Sequence, residues 1–147
     1  MKLYLGCDHA AFSEKKLVIG YMEENPRDFE QVIDLGTLSD QSCHYPDYAI
    51  KVAKKVQEGD CLGILLCGSG IGVSMVANRF KGVRAALCRT PEEAQLAKQH
   101  NNANVLCVGA RSNSIDEIKA IIDAWFSAEF EGGRHADRIK IFDQLGE

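Results

Sequence analysis

The stretch "CLGILLCGSGIG", residues 61–72, decides the fold. Residues 61–67 are apolar on both faces of a strand, which favours a position in the middle of a parallel sheet. Three glycines at alternate positions follow, and a helix is predicted to begin at about Ile71. A buried strand that passes through a glycine turn into a helix is typical of an α/β protein.

The alternation of strands and helices continues on both sides of this stretch. Four further strands are predicted, at residues 2–7, 31–36, 82–88 and 104–109. The other helices are predicted at residues 10–24, 47–59, 90–101 and 114–130, with a last one after the glycine pair 132–133. Helices between successive strands imply right-handed crossovers and a parallel sheet. We therefore expect one domain over residues 1–147, with a three-layer α/β/α, Rossmann-like fold and a five-stranded parallel sheet.

Local signals mark several helix ends. Thr90 is a good N-cap, and Pro91 suits the first helical position. Ser114 and Glu117 have the spacing of a capping box. Pro26 ends the first helix, whose apolar face is predicted to consist of Leu17, Val18, Tyr21 and Met22.

Composition limits the classes of partner and the compartment. The formal charge is −4 without a basic stripe, which argues against a nucleic-acid partner. No signal-like start and no apolar run of about 18 residues are present, so no membrane partner is expected. The six cysteines form no C-x-x-C pair and no zinc-like cluster. These features predict a cytoplasmic protein with reduced thiols.

The glycine loop matches none of three familiar phosphate-binding motifs. A dinucleotide fingerprint starting at Gly68 needs glycine at position 73, and a C-x5-R phosphatase needs arginine there, but residue 73 is valine. The lysine of the Walker motif is also missing. What remains is Cys67 followed by backbone N–H groups at a helix N-terminus, which stabilise a phosphate, an oxyanion or an enediolate and favour a thiolate. The alternative is a tight turn beside a packed thiol.

Other polar residues allow a functional and a structural interpretation. Asp8 and His9 follow the first strand, at the edge where such sheets bind ligands, and form either a proton-transfer pair or a helix cap with a surface histidine. His100 is either an acid catalyst or a cation at a helix C-terminus. Arg134 and Arg138 lie four residues apart, so they share a helix face that suits a phosphate dianion or is simply solvated.

Six segments in one order carry a resemblance to a known family. They are "GCDHA" (6–10), "DLGT" (34–37), "YPDYA" (45–49), "LLCGSGIG" (65–72), "AQLAKQHNNANVLCVGAR" (94–111) and "EGGRHADR" (131–138). Together they resemble the ribose-5-phosphate isomerase B family, one of the sugar-phosphate isomerases, which include galactose-6-phosphate and allose-6-phosphate isomerases. The resemblance is collinear over essentially the whole chain.

This resemblance implies an aldose–ketose isomerase that interconverts ribose 5-phosphate and ribulose 5-phosphate. Cys67 would be the base that moves a proton between C1 and C2, and His100, helped by Asp8, would assist opening of the furanose ring. The enediolate would be held by the backbone of Gly68, Ser69, Gly70, Ile71 and Gly72, with the Ser69 hydroxyl close to the sugar oxygens. Phosphate would be bound by His9, Arg134 and Arg138, and the pocket would be lined by Tyr45, Asn101 and Arg111.

The family's chemistry agrees with general principles. Removal of a carbon-bound proton beside a carbonyl needs a base tuned near neutral pH and a site for the developing oxyanion, and a thiolate in a glycine loop supplies both. One family branch uses a loop glutamate as the base; here Val73 occupies that position, so the resemblance assigns this chain to the cysteine branch. It implies no metal and no other cofactor.

The resemblance also implies a homodimer or homotetramer with active sites shared between subunits, so that Arg134 and Arg138 would serve the neighbour's Cys67. The chain departs from common family patterns at His44, where an acidic residue is usual before "YPDY", and at Ser69, where threonine is common. The first departure could alter the preferred sugar. Alternatives are an isomerase of a six-carbon sugar phosphate, a non-catalytic sugar-phosphate-binding module and a hydrolase with Cys67 as nucleophile.

Overall fold

The predicted alternation of strands and helices is confirmed in the computed structural model, which describes residues 1–147. The strands are Lys2–Cys7 (β1), Gln31–Asp34 (β2), Cys61–Cys67 (β3), Ala85–Leu87 (β4) and Val105–Gly109 (β5). The helices are Phe12–Glu24 (α1), Tyr45–Glu58 (α2), Ile71–Ala77 (α3), Pro91–Asn101 (α4), Ile115–Ser127 (α5) and Arg134–Phe142 (α6), and a short 3-10 turn covers His9–Ala11.

The five strands form one parallel sheet in the order β2-β1-β3-β5-β4. After β1 the chain forms the edge strand β2, and it then crosses to the other side of β1, where β3, β4 and β5 lie. The strand order therefore reverses between β1 and β3, which is where ligands bind in open α/β sheets. Cys7 pairs with Leu66, so the next residues of the two strands, Asp8 and Cys67, lie side by side at the carboxyl edge of the sheet.

Two apolar layers cover the sheet. One face, which includes Leu5 and Leu66, packs against α1, α4 and α5 in a cluster of 18 buried residues that contains the fully buried Trp125. The opposite face, which includes Leu65, packs against α2 and α3 in a cluster of 11 buried residues. The α/β/α layering is thus confirmed. Cys67 belongs to the second face, together with Val73 of α3.

Helix caps follow the sequence closely, whereas some element ends do not. The Thr90 hydroxyl accepts a hydrogen bond from Glu93 N, and the reciprocal capping box of Ser114 and Glu117 is present. Helix α2 begins at Tyr45, two residues earlier than predicted, because a proline is tolerated in the first turn of a helix. Strand β4 is limited to residues 85–87. The preceding residue, Arg84, contacts the loop before β5, because its carbonyl accepts a hydrogen bond from Asn104 N.

The predicted apolar face of α1 is partly wrong. Leu17 is 53% exposed, whereas the neighbouring Lys15 is fully buried. The Lys15 ammonium donates to Asp34 Oδ1 and to the carbonyl of Thr37, each at 2.6 Å. It thereby holds the loop after β2 against the end of β1, where Thr37 N donates to the Cys7 carbonyl at 2.8 Å. A buried lysine thus helps to fix the backbone that leads into Asp8.

Helix α6 packs on α4 through its buried residues His135 and Ile139. Behind it, Asp143 pairs with Arg84 at 2.9 Å, and the backbone of Glu147 exchanges hydrogen bonds with that of Arg79 and Lys81. The chain's helices are all too short or too polar to cross a membrane.

Candidate active site

A cleft of about 680 Å³ opens at the carboxyl edge of the sheet, between the ends of β1 and β3. The turn after β1, the N-terminus of α2, the glycine loop with α3, and the loop after β5 form its walls. Nine residues singled out from the sequence line it: Asp8, His9, Tyr45, Cys67, Gly68, Ser69, Ile71, Gly72 and Arg111. Ala10, Met75 and Ser112 also line the cleft and were not singled out. Of these, Met75 follows Ile71 by one helical turn, a signal that was available in the sequence.

Cys67 is the last residue of β3, and its side chain is only 5% exposed. The amide of Gly70 donates a hydrogen bond to its sulfur at 3.1 Å. Gly70 has a φ of +77°, and a Cβ there would lie 2.9 Å from the backbone of Val108. Glycine at position 70 therefore lets the chain fold back onto Cys67, and the amide that results is well placed to stabilise negative charge on sulfur.

Three amides of the glycine loop remain available as donors. The N–H groups of Gly68, Ser69 and Gly72 donate to no other group of the chain, and all three residues line the cleft. The carbonyls of Cys67 and Gly68, by contrast, accept from Ala110 N and Arg111 N, each at 2.9 Å. The loop after β5 thus fixes the carbonyls and leaves the amides free beside the sulfur. Free amides next to a reacting centre are the donors of an oxyanion hole.

The thiols in the core differ from Cys67 in their surroundings. Burial raises the pKa of Cys7 to about 11 and that of Cys88 to about 12. Burial also raises the pKa of Cys107, which lies behind Cys67 on β5, well above its usual value. None of these three lines the cleft, and they stay protonated at neutral pH.

Asp8 and His9 have one partner each within the chain that fixes them. Asp8 Oδ1 accepts from Ala10 N at 3.0 Å and caps the 3-10 turn, so the structural interpretation of a helix cap also holds. His9 Nδ1 accepts from Cys43 N at 3.2 Å. In the neutral imidazole this bond assigns the hydrogen to Nε2. Both side chains retain polar atoms for a ligand in the cleft.

Tyr45 and Arg111 stand on opposite sides of the glycine loop. A Cβ on Gly72 would lie 2.5 Å from the Tyr45 ring, so the ring packs directly on the bare backbone of α3. The Arg111 side chain lies along Gly68, with its Cδ and Nη1 at 3.4 Å from the position of a Cβ. The loop therefore places an aromatic wall and a guanidinium on the two flanks of Cys67.

Four residues predicted for the site lie elsewhere: His100, Asn101, Arg134 and Arg138. His100 and Asn101 end α4, and the carbonyl of Asn104, three residues later, accepts from Gly63 N near the start of β3. Since β5 then runs from Val105 to Gly109, this end of α4 is separated from Cys67 by about 13 Å or more along the sheet. Arg134 and Arg138 share an exposed face of α6, as the spacing predicted, but α6 packs on α4. Within one chain, His100 does not meet Asp8, and the arginines do not meet Cys67.

His100 has neighbours that sequence reasoning missed. Its ring stacks on that of His135, with centroids 4.3 Å apart and an interplanar angle of 10°. Glu131 Oε1 lies 3.6 Å from Nε2 of both rings. The i, i+4 spacing of Glu131 and His135 was the available signal. These three residues are also the one group in the chain with the ligand types and proximity for a metal ion.

The fold and the cleft define an α/β enzyme of the Rossmann-like class, with a cysteine and free amides at the switch point of a parallel sheet. Comparisons identify the family: a family model described as Ribose/Galactose Isomerase matches residues 3–142, and the chain belongs to this family.

Similar proteins carry consistent names. A ribose-5-phosphate isomerase B of Escherichia coli is 44% identical, over 95% of this chain and 92% of that protein. The structure of a ribose-5-phosphate isomerase B from Clostridium thermocellum superposes with a TM-score of 0.93 at 39% identity, covering 98% of this chain and 96% of the other. The enzyme from Mycoplasma genitalium, solved with bound ribulose-5-phosphate, gives a TM-score of 0.92 at 41% identity, covering 97% and 94%.

Proposed function

We propose that this isomerase interconverts ribose 5-phosphate and ribulose 5-phosphate, with Cys67 as the base. The observation that carries the proposal is the Cys67 sulfur at the cleft, bonded by Gly70 N and flanked by the free amides of Gly68 and Ser69. The names of the relatives support the reaction, and the bound ketose in the Mycoplasma genitalium enzyme supports a five-carbon substrate.

The reaction begins with opening of the furanose ring. The C1–O4 bond breaks and its electron pair goes to O4, which takes a proton from His100, while the C1 hydroxyl gives its proton to the Asp8 carboxylate. The open aldehyde then lies with C2 near Cys67. Asp8 supports this role because one of its oxygens, Oδ1, is held by Ala10 N, which fixes the carboxylate at the cleft.

Proton transfer then proceeds through an enediolate. The Cys67 thiolate takes the C2 proton, the electron pair of the C2–H bond forms the C1–C2 double bond, and the carbonyl electrons move to O1. The amides of Gly68 and Ser69 stabilise the O1 anion. Return of the proton from sulfur to C1, with transfer of the O2 proton to O1, gives the ketose. The Ser69 hydroxyl, which accepts from Ile71 N at 3.2 Å, is held where it can carry that proton.

The phosphate and His100 require a second copy of the chain. Arg134 and Arg138 are exposed on α6, far from the Cys67 of their own chain, and the cleft has only His9 and Arg111 for a dianion. The exposed apolar residues Ile141, Phe142 and Leu145 follow Arg138 on the same side of the chain. The rim of the cleft is apolar too, at Ile71 and Met75. A homodimer or homotetramer in which α6 of one subunit covers the rim of another completes both sites.

The alternatives lose support at specific points. A hydrolase needs a histidine to activate the thiol, but the only hydrogen-bond partner of Cys67 Sγ is Gly70 N. A binding module needs no sulfur beside free amides. A six-carbon substrate stays the second candidate because Cys43 and His44 precede α2, whose first residue lines the cleft. We place this single domain in the cytoplasm, since all six cysteines are free.

Turnover of ribose 5-phosphate, allose 6-phosphate and galactose 6-phosphate, each with EDTA present, tests the proposal. We expect the highest kcat/KM with ribose 5-phosphate. Cys67→Ala should lower kcat at least about 100-fold, since a positioned base contributes that much, while sugar-phosphate binding stays measurable by calorimetry. Cys61→Ala, at the other end of the same strand, is the matched control. Normal turnover by Cys67→Ala would remove the base assignment.

A further inference from the structure

The paired histidines at the end of α4 form an ordered group away from the cleft of their own chain. His135 is held in the interface between α6 and α4, with 10% of its side chain exposed, whereas 40% of the His100 side chain is exposed. His100 thus has one ring face against a fixed partner and the other toward solvent.

The backbone anchors Glu131 to the same place. Its amide donates to the carbonyl of Gln99 at 3.0 Å, directly before His100, and His135 N donates to the Gly132 carbonyl at 3.1 Å. The segment between Glu131 and α6 is therefore fastened to the last turn of α4. Both the carboxylate and the stacked ring are fixed relative to the backbone of His100.

The ring geometry favours a stacked pair facing one carboxylate over a metal centre. A metal bound by two imidazoles lies in the plane of each ring, about 2 Å from each nitrogen. The rings of His100 and His135 are parallel within 10° and stacked at 4.3 Å, so their in-plane lone pairs do not converge. Both Nε2 atoms instead face the same carboxylate oxygen, at 3.6 Å.

The groups around the pair disfavour a positive charge on His135. Burial, the neighbouring His100, Arg134 and Arg138 all lower the pKa of His135, while Glu131 opposes them. A neutral His135 adds no like charge beside the ring of His100.

We propose that His135 and Glu131 are positioning residues for His100: His135 supports one face of its ring, and Glu131 holds Nε2, so that Nδ1 is presented to the substrate. This inference rests on the proposed function, in which His100 gives a proton to O4 during ring opening. The group then acts on the ring-opening step alone, since the enediolate step belongs to Cys67 and the glycine loop.

Two measurements separate these steps. Turnover of ribose 5-phosphate requires ring opening, because that aldose is almost entirely a furanose. Incorporation of solvent deuterium at C1 of ribulose 5-phosphate, followed by mass spectrometry, requires only enediolate formation, because this ketose cannot close a five-membered ring through its phosphorylated O5. A group that acts on ring opening affects the first measurement and not the second.

We expect Glu131→Gln and His135→Ala to lower kcat/KM for ribose 5-phosphate about 10- to 100-fold, since a displacement of about 1 Å costs that much. Deuterium incorporation should change less than about twofold, which also shows that each variant is folded and assembled. His135→Phe should recover most of the turnover because it restores a stacking ring. Glu129→Gln, an exposed acid two residues away, is the matched control.

Three results would overturn the inference: unchanged turnover in both variants, equal losses in turnover and deuterium incorporation, or loss of turnover in EDTA that zinc restores. The last would make the three residues a metal centre. Failure of the proposed function is distinct from all of these, because the unaltered protein would then neither turn over ribose 5-phosphate nor exchange the C1 hydrogen of ribulose 5-phosphate.

Discussion

Lys15→Met is expected to destabilise the fold far more than its position on a helix suggests. The substitution keeps an unbranched side chain, one atom shorter, and removes the ammonium. One lost hydrogen bond is to the Asp34 carboxylate and the other is to the Thr37 carbonyl, both at 2.6 Å. A bond to a charged group contributes about 1.5–3 kcal/mol, and a buried carbonyl left without a partner costs about 1–3 kcal/mol.

Two effects make the loss of stability smaller than the sum of these two contributions. Asp34 keeps 32% of its side chain exposed, so water replaces part of its lost partner. The variant also no longer has to desolvate an ammonium. We therefore expect a net loss of about 2–4 kcal/mol in the free energy of unfolding, which for a chain of this size lowers the Tm by about 10 °C.

Urea unfolding followed by circular dichroism measures the loss, and Lys16→Met is the control because Lys16 is exposed. We also expect a lower kcat/KM, since the loop held by Lys15 exchanges hydrogen bonds with Cys7, next to Asp8. If Lys15→Met unfolds at the same urea concentration as Lys16→Met, the buried ammonium contributes nothing and the argument from its two bonds is wrong.

Three further predictions concern other parts of the chain. Burial lowers the pKa of Lys98 from 10.5 to about 8; between these values the unfolded chain binds a proton that the folded chain does not, so stability rises with pH from about 8 to 10.5. Relative to Lys98→Met, the free energy of unfolding of the unaltered protein, measured with urea, should rise by about 3 kcal/mol over that pH range. Parallel plots of this free energy against pH for the two proteins would contradict the lowered pKa of Lys98. Gly70→Ala should lower kcat more than tenfold, because a Cβ would meet the Val108 backbone at 2.9 Å and displace the amide that bonds Cys67; steady-state turnover well below the Tm of the variant tests this, and normal kcat refutes it. Arg134→Ala or Arg138→Ala should raise KM for the phosphorylated sugar about tenfold or more, whereas an equal KM would remove that arginine from the phosphate site.

Much of the fold could be predicted because its signals are local. The apolar run 61–67, the N-cap at Thr90 and the capping box at Ser114 each act within a few residues, and all three are present in the structure. The position of Asp8 and Cys67 at the carboxyl ends of their strands follows from the same information, and the pairing of β1 with β3 in the structure brings them together.

The burial of Lys15 could not be predicted in this way. Its partners, Asp34 and Thr37, lie 19 and 22 residues away, on a loop whose path depends on the sheet. Helical periodicity therefore placed Leu17 on the apolar face, although it is exposed, and gave no sign that Lys15 is buried.

Local sequence signals also could not predict that His100 and Arg134 lie far from Cys67 of the same chain. The sequence order of His100 and Arg134 says nothing about which end of the sheet they occupy. That depends on the direction of α4, which starts at the carboxyl edge and returns to the amino edge, as the Asn104 bond to Gly63 demonstrates. The stacking of His135 on His100 depends in turn on how α6 meets α4.

In the proposed assembly of subunits that share their active sites, the separation of Cys67 from the arginines of α6 has a genetic consequence. A chain without its thiol lacks the base and a chain without Arg138 binds the phosphate weakly, yet a mixed pair retains one complete set of groups, the sulfur from one parent and the guanidinium from the other. In a dimer assembled at random from equal amounts, half of the molecules are mixed, and a quarter of all sites work. Two damaged alleles in one cell can therefore compensate for each other.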